Sequence, residues 1–340
     1  MCCACYDIFM IDLVAIARSL LPPGKGFLAN DEKPPHATQY LSDHGIPGGP
    51  EMRRQYRALF LNTPGIEEYL SGAILFEGTY DEKGDDKKLF GKSLLARGIA
   101  PGVTVDEGLD PLPGSEKESV TKGLIGLPDC LHEYKKKGAV FTKWRAVATI
   151  DGDTLPTAQA LHENARRLAT YAKDAQMAGL VPVTEIEVLL PGKHSRERAK
   201  AVSIEALGTA FSVFAEHAVD KAGLVLKTSM VLTGAESAKR DTPDEVAAAT
   251  IEALMEAVPR QVAGIVFLSG GQDPEQATEN LAAISKAAQK ANAPWPLSFS
   301  FARALQDEAL SVWKGKKENV PAAREAFIGR LKKVTAALSA

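Results

Sequence analysis

The chain has 340 residues, of which 45% are hydrophobic and 24% charged, and its formal net charge is −3. These values are typical of a globular, water-soluble protein, and they argue against a general affinity for nucleic acid or for anionic membranes. The apolar runs are shorter than a membrane span, and segment 6–21 lacks the basic start and uninterrupted apolar core of a signal peptide. We therefore expect a cytoplasmic protein with no nucleic-acid or membrane partner.

In chain order, short apolar runs rich in β-branched residues alternate with longer helical patterns. The predicted strands are 27–30, 73–76, 99–105, 139–141, 180–188, 224–232, 264–268 and 297–301. The predicted helices are 157–177, 195–222, 243–257, 273–291, 302–314 and 321–338, and an N-terminal helix is expected within 1–22. The proline- and glycine-rich segment 36–50 and the charged segment 81–88 are predicted to be loops.

Strands that alternate with helices indicate βαβ units and a parallel sheet. Eight such units favour a closed (β/α)8 TIM barrel over an open doubly wound sheet, which is the alternative. No composition shift marks a domain boundary, so we expect residues 1–340 to form a single domain.

The four cysteines are unevenly distributed, because Cys2, Cys3 and Cys5 lie near the start and only Cys130 lies elsewhere. No second cluster of cysteine or histidine follows at zinc-site spacing, so we predict no bound metal. We favour exposed thiols on a loose terminus, and acylation of Cys2 or Cys3 is the alternative.

Charged residues at or inside the predicted strands are the main chemical signal. In a barrel, side chains at the carboxyl ends of the strands meet at one active site. A lone charge in a buried strand is unfavourable, and the alternative interpretation is that each charge is paired in the barrel core or rim. The residues concerned are Asp31, Glu77, Asp106, Lys143, Arg145, Glu185, Glu187, Lys227 and Arg303. Their number favours an active site.

Lys227 lies deep in the sixth predicted strand, and the sequence indicates that it is a nucleophile. Desolvation and a like charge at Lys143 would both favour its neutral amine, which can attack a carbonyl and form a Schiff base. Glu185 and Glu187 are two residues apart, so they point to the same face of their strand. Such a pair of carboxylates can transfer the protons that the chemistry requires.

A phosphate site is predicted after the seventh strand, where Ser269, Gly270 and Gly271 precede a helix. Backbone amides at a helix N-terminus bind anions, and barrels commonly hold phosphate after strands seven and eight. Arg303, just past the eighth strand, would add donors to the same phosphate.

Several sequence blocks in the same order resemble the class I, Schiff-base-forming fructose-bisphosphate aldolases along nearly the whole chain. The blocks are GKGFLANDE at 24–32, FTKWR at 141–145, VPVTEIE at 181–187, FLSGGQ at 267–272, SFSFARALQ at 298–306 and GKKEN at 315–319. The resemblance implies reversible cleavage of fructose 1,6-bisphosphate to dihydroxyacetone phosphate and glyceraldehyde 3-phosphate, in glycolysis and gluconeogenesis. It also implies that no metal or cofactor is needed and that the protein is a homotetramer.

The resemblance implies a role for each matching residue. Lys227 is the Schiff-base lysine, Glu185 and Glu187 carry out the acid–base steps, Lys143 stabilises the carbinolamine, and Asp31 assists cleavage between C3 and C4. The residues that hold the C1 phosphate are Ser269, Gly270, Gly271, Ser300 and Arg303.

The chain departs from the family where the second phosphate, at C6, is bound. Lys33, Pro34, Pro35 and His36 replace the family's small polar residues after Glu32, Gln39 and Tyr40 replace a Lys-Arg pair, and Thr104 replaces a lysine. The family's Pro-Asn after the Schiff-base lysine is Thr228 and Ser229 here, and we expect the C-terminal segment 315–340 to be shortened, with no tyrosine after Tyr171. Arg145 and Lys33 are expected to compensate in part at C6.

Three functions are therefore weighed. The first is cleavage of fructose 1,6-bisphosphate. The second is the same chemistry on another ketose 1-phosphate, such as fructose 1-phosphate, with a weakened C6-phosphate site. The third is a barrel that binds a sugar phosphate or a protein without turnover. Retention of Lys227, Lys143, Glu185 and Asp31 argues against the third function.

Overall fold

The computed structural model describes residues 12–85 and 87–339, so Cys2, Cys3, Cys5 and most of the predicted N-terminal segment lie outside it. Eight parallel strands close into a barrel, which confirms the predicted fold class. These strands are β1 (Gly26–Asn30), β2 (Leu70–Leu75), β3 (Ala100–Thr104), β6 (Phe141–Ala148), β7 (Val181–Val188), β8 (Val225–Thr228), β9 (Gly264–Phe267) and β10 (Leu297–Phe301). Two short strands, β4 (Gly108–Pro111) and β5 (Ser119–Lys122), form an antiparallel hairpin that was not predicted.

Helices surround the barrel. They are α1 (Leu13–Ser19), α2 (Pro34–Asp43), α3 (Pro50–Leu61), α4 (Glu77–Tyr80), α5 (Phe90–Ala96), α6 (Leu127–Lys136), α7 (Ala158–Met177), α8 (Arg196–Glu216), α9 (Pro243–Ala257), α10 (Pro274–Lys290), α11 (Arg303–Trp313) and α12 (Val320–Ala336). None of them, within the described part of the chain, is long and apolar enough to cross a membrane.

Four of the long outer helices begin where a side chain accepts a hydrogen bond from a free backbone N–H. Thr157 does this before α7, Ser195 before α8, Thr242 before α9 and Asp273 before α10. At α9 the Glu245 side chain also accepts from the Thr242 backbone N–H at 2.9 Å. Reciprocal capping of this kind stabilises the first turn. The predicted starts of these four helices agree with the structure to within one residue, but α8 ends at Glu216, before its predicted end at 222.

The prediction that 36–50 is a loop was wrong for 36–43, which belongs to α2, and is confirmed for 44–49. Pro34 and Pro35 occupy the first turn of α2. Backbone N–H groups in a first turn have no acceptor within the helix, so proline, which lacks this group, is well tolerated there. The helix buries Ala37, Tyr40 and Leu41, and it packs against α3, where the Tyr40 ring contacts the Tyr56 ring. The glycines and prolines of the predicted loop all lie within 45–50, so the turn signals mark the connection between α2 and α3 and not residues 36–43.

Side chains alternate between the inside and the outside of the barrel. Inward-pointing apolar residues from six strands form an inner core with α1, namely Phe27, Ala29, Ile74, Phe141, Val181, Val183, Val225 and Val266. Ala17, Leu20 and Leu21, in and directly after α1, belong to the same cluster. The N-terminal end of the barrel is therefore closed by α1, and polar groups occupy the opposite end.

Candidate active site

Strand register brings the predicted catalytic side chains together at the carboxyl end of the barrel. Lys143, Arg145, Glu185 and Lys227 follow inward-pointing apolar residues at a spacing of two, so they also point inward. Glu185 of β7 stands directly beside Lys227 of β8, and Arg145 of β6 stands beside Glu185. Neighbouring strands thus place charges of opposite sign next to one another.

An open cavity of about 710 Å³ lies at this end of the barrel. The predicted site residues that line it are Asp31, Lys143, Arg145, Glu185, Glu187, Lys227, Ser269, Gly270, Ser300 and Arg303. Gly271 is exposed and lines a separate depression with Thr233 and Lys239. Glu77 lies in an adjacent pocket beside Cys130. The cavity therefore unites most of the predicted residues and leaves out two of the candidates.

Four buried charges alternate in sign across the cavity floor. Lys227 Nζ lies 3.0 Å from Glu185 Oε1, and Lys143 Nζ lies 2.7 Å from Glu185 Oε2. Lys143 Nζ also lies 3.1 Å from Asp31 Oδ2. The repulsion that we expected between the two lysines is therefore offset, because one carboxylate contacts both of them. Each charge has at least one opposite partner, as a buried ion requires.

The environment holds three of these groups in their charged forms. Burial alone would raise the pKa of Glu185, but Lys143 and Lys227 outweigh it and hold that pKa below its usual value. Burial also opposes ionisation of Asp31, but Lys143, Lys227 and a hydrogen bond from Thr104 hold its pKa well below its usual range. Burial would lower the pKa of Lys143, but Asp31 and Glu185 raise it. The cluster therefore provides ionised carboxylates beside a protonated lysine.

Arg145 is engaged by another carboxylate on the neighbouring strand. Its Nε lies 2.5 Å from Glu187 Oε2, and its backbone N–H donates to Asp106 Oδ2 at 3.3 Å. Asp106 lines the cavity and was predicted only as a strand-end charge, without a role at the site.

Thr104 contributes a hydrogen bond to the site, whereas the family resemblance predicts only the loss of a cation at this position. Its hydroxyl donates a short hydrogen bond to Asp31 Oδ2, the oxygen that Lys143 also contacts. The sequence carries no local signal for this contact, because it depends on the register of β3 and β6, which sets Thr104 beside Lys143.

The opposite wall of the cavity is suited to an anion. The Ser300 hydroxyl is buried and has no hydrogen-bond partner among the described residues. Arg303 is exposed at the first position of α11, and its guanidinium makes no ion pair within residues 12–85 and 87–339. Gly270 adopts a φ of 33°, and a Cβ there would lie 2.5 Å from the Leu268 side chain. A glycine is therefore required for the loop to keep this shape.

No metal-binding group is formed by the described residues, since nowhere among them do three or more His, Cys, Asp or Glu side chains converge suitably. Within the same part of the chain, the site consists of lysines, two arginines (Arg145 and Arg303), carboxylates, hydroxyls and backbone amides. Such a set can form a carbinolamine, move protons and bind phosphate.

Comparison with known proteins gives one consistent result. A family model described as class I fructose-bisphosphate aldolase, a glycolytic family, matches residues 12–340. Fructose-bisphosphate aldolase of Drosophila melanogaster is 43% identical over 322 residues, covering 94% of this chain and 88% of that protein. Cytosolic fructose-bisphosphate aldolase 6 of Arabidopsis thaliana is 43% identical, covering 95% and 89% respectively.

A solved structure gives the same match in three dimensions. It is a ternary co-crystal structure of fructose-bisphosphate aldolase from Plasmodium falciparum in complex with TRAP and a small molecule inhibitor. It superimposes with a TM-score of 0.92 at 38% sequence identity, and the match covers 96% of this chain and 93% of that chain.

Proposed function

The chain belongs to the class I fructose-bisphosphate aldolase family, and from this premise we propose which of its residues cleave fructose 1,6-bisphosphate and how they do so. The single observation that carries the proposal is the contact of Glu185 with both Lys227 and Lys143. A nucleophilic amine, a proton acceptor and a fixed cation are thereby assembled around one point in the cavity.

The first step that we propose is formation of the Schiff base. Glu185 takes a proton from Lys227, whose free amine then attacks the C2 carbonyl of the open-chain ketose. The resulting carbinolamine hydroxyl is protonated by a carboxylic acid, either Glu185 or Glu187, and leaves as water. Lys143 stabilises negative charge that develops on oxygen during the addition, because it stays protonated beside Glu185 and Asp31.

The second step is cleavage of the bond between C3 and C4. Asp31 accepts the proton of the C4 hydroxyl, the bond breaks to release an aldehyde, and the electron pair moves into the iminium of the Schiff base to give an enamine. Asp31 is suited to this task because Thr104 and Lys143 hold its carboxylate in place. Protonation of the enamine and hydrolysis of the iminium then release dihydroxyacetone phosphate.

We propose that the C1 phosphate is held by Ser269, Gly270, Ser300 and Arg303. Support comes from the buried Ser300 hydroxyl and the unpaired Arg303 guanidinium, which both line the cavity. Gly271, which lies outside the cavity wall, is proposed to act only by shaping the loop before α10.

At the aldehyde end, cationic groups are scarce. Arg145 is paired with Glu187, and the Thr104 hydroxyl is bound to Asp31. Lys33 is the remaining cation on this wall, and its amine makes no ion pair or hydrogen bond with any residue that the structure describes. We propose that Lys33 alone attracts the C6 phosphate, so that the preference for the bisphosphate over a ketose 1-phosphate is weakened.

Borohydride reduction tests the catalytic proposal. In the presence of dihydroxyacetone phosphate and borohydride, peptide mass spectrometry should find a stable adduct on Lys227. The Lys227→Arg variant keeps the charge and should give no adduct. A folded wild-type protein without an adduct, or an adduct on Lys143 instead, would overturn the assignment.

Substrate preference tests the aldehyde end. Each lost cationic phosphate contact weakens transition-state binding by roughly 1.5–3 kcal/mol, or one to two decades in kcat/KM. We therefore expect the ratio of kcat/KM for fructose 1,6-bisphosphate to that for fructose 1-phosphate to be about a hundredfold or less. Lys33→Met should reduce the ratio further, with fructose 1-phosphate turnover as the control. A preference of a thousandfold contradicts the hypothesis.

We also propose that the protein is a cytoplasmic homotetramer. The family resemblance supports both statements, and one of the similar plant proteins is named as cytosolic. Light scattering on the purified chain measures the assembly, and fractionation of the source cells measures the location.

A further inference from the structure

Arg303 and Asp307 lie four residues apart on α11, so their side chains are neighbours on one face of the helix. An ion pair between them would be expected from this spacing. None forms, and among the described residues the Arg303 guanidinium stays unpaired. The Asp307 carboxylate must therefore be engaged elsewhere.

Tyr40 of α2 is the group that engages it. The Tyr40 hydroxyl donates a short hydrogen bond to Asp307 Oδ1, across the gap between α2 and α11. His44, the residue after α2, also faces this carboxylate, but its Nε2 is 3.8 Å away. The direct contact of Asp307 with α2 is thus made by the Tyr40 hydroxyl.

The Tyr40 side chain has little freedom to leave this position. It is 8% exposed, and its ring packs edge-on against the His44 ring at 5.0 Å and the Tyr56 ring at 6.1 Å between centroids. Burial, together with Tyr56 and Asp307, raises the pKa of Tyr40, so the phenol keeps its proton and remains a donor. Asp307, in contrast, is about one third exposed and is free to rotate if this donor is lost.

We propose that Tyr40 is a positioning residue that holds Asp307 away from Arg303, so that the Arg303 guanidinium stays available for the substrate phosphate. The inference rests on the proposed role of Arg303 and extends it to a residue that does not touch the phosphate. It also gives Tyr40, which stands where related enzymes have a cation, a different task from binding an anion itself.

The test is a pair of substitutions analysed together. In Tyr40→Phe the freed Asp307 pairs with Arg303, and an ion pair of this exposure competes with phosphate by about fivefold. We expect KM for fructose 1,6-bisphosphate and the inhibition constant of inorganic phosphate both to rise by about that factor, with kcat unchanged. The Tyr40→Phe/Asp307→Asn double variant should return both constants to the wild-type values, and Asp307→Asn alone should leave them unaltered.

The two alternatives give different results. If Tyr40→Phe acts by loosening α2, the double variant keeps the raised constants, and the inference is overturned. It is overturned equally if Tyr40→Phe changes neither constant. Arg303→Gln is the separate test of the proposed phosphate site. If it leaves KM unchanged, the assignment of Arg303 itself has failed, whatever the Tyr40 variants show.

Discussion

At the scale of single residues, the neighbours of Asp31 keep its carboxylate ionised and fix its position. One of its oxygens is contacted by both the Thr104 hydroxyl and the Lys143 amine, and both contacts favour the ionised form. Two donors from adjacent strands also restrict rotation of the side chain. Thr104, at a position where the family resemblance predicts a lysine, therefore contributes to the site through its hydroxyl.

Thr104→Val removes the hydroxyl but keeps the shape of the side chain, and it tests this contribution. Loss of one hydrogen bond to a charged group corresponds to about 1.5 kcal/mol, so we expect kcat for cleavage to fall about tenfold. Thr104→Ser, which keeps the hydroxyl, should stay close to the wild-type rate. If the valine variant is fully active, Lys143 alone positions Asp31.

At the scale of elements, α1 stabilises the barrel at its N-terminal end, whereas the reactive groups lie at the carboxyl ends of the strands. Leu20 and Leu21 follow α1 and pack under the barrel, where Leu21 approaches the backbone of Gly264 so closely that a Cβ there would lie 2.2 Å from it. The charges that are proposed to be catalytic lie at the other end of the strands. Substitutions at the N-terminal end of the barrel should therefore change the stability of the protein without changing the rate of the reaction.

Leu20→Ala tests this division. Leu20 is 2% exposed, and truncation of a buried leucine generally lowers the free energy of unfolding by about 2–5 kcal/mol. We expect a loss in that range by urea denaturation, with unchanged kcat for the protein that remains folded. Met177, the last residue of α7, is 74% exposed, so Met177→Ala is the matched control. It should lower the free energy of unfolding by less than about 0.5 kcal/mol. A large fall in kcat for Leu20→Ala would show that packing at the N-terminal end of the barrel affects the active site.

At the scale of the whole molecule, the buried charge cluster links stability to pH. The pKa values of Asp31 and Glu185 are lowered on folding, so their contribution is complete above about pH 4 and is lost as the pH falls through the lowered values. The pKa of Lys143 is raised, so its contribution is complete below about pH 10 and is lost as the pH rises further. The cluster therefore stabilises the fold between these limits.

We expect the urea midpoint to change little between about pH 5 and 9 and to fall on further acidification. Asp31→Asn removes one of the two lowered carboxylates, so its midpoint should be lower at neutral pH but should depend less steeply on pH below about pH 4. Measurement of unfolding at several pH values for both proteins checks this. An unchanged acid slope in the variant would mean that other carboxylates control acid unfolding.

The sequence alone determined the barrel and the inward direction of its charged residues, because both follow from local periodicity. Strands whose side chains alternate between two faces and helices with capping residues leave repeated signals along the chain, and a spacing of two places Glu185 and Glu187 on one face. The family resemblance implied a role for each of these residues, and these roles stay predictions. The types of chemical group at the site therefore followed from the sequence.

Tertiary structure alone decided which charges meet. Residues as distant in sequence as Tyr40 and Asp307, or Thr104 and Asp31, come together only through strand register and helix packing. The same packing paired Arg145 with Glu187 and left Lys33 and Arg303 unpaired among the described residues. Long-range contacts of this kind depend on the closed barrel, and no local sequence window contains them.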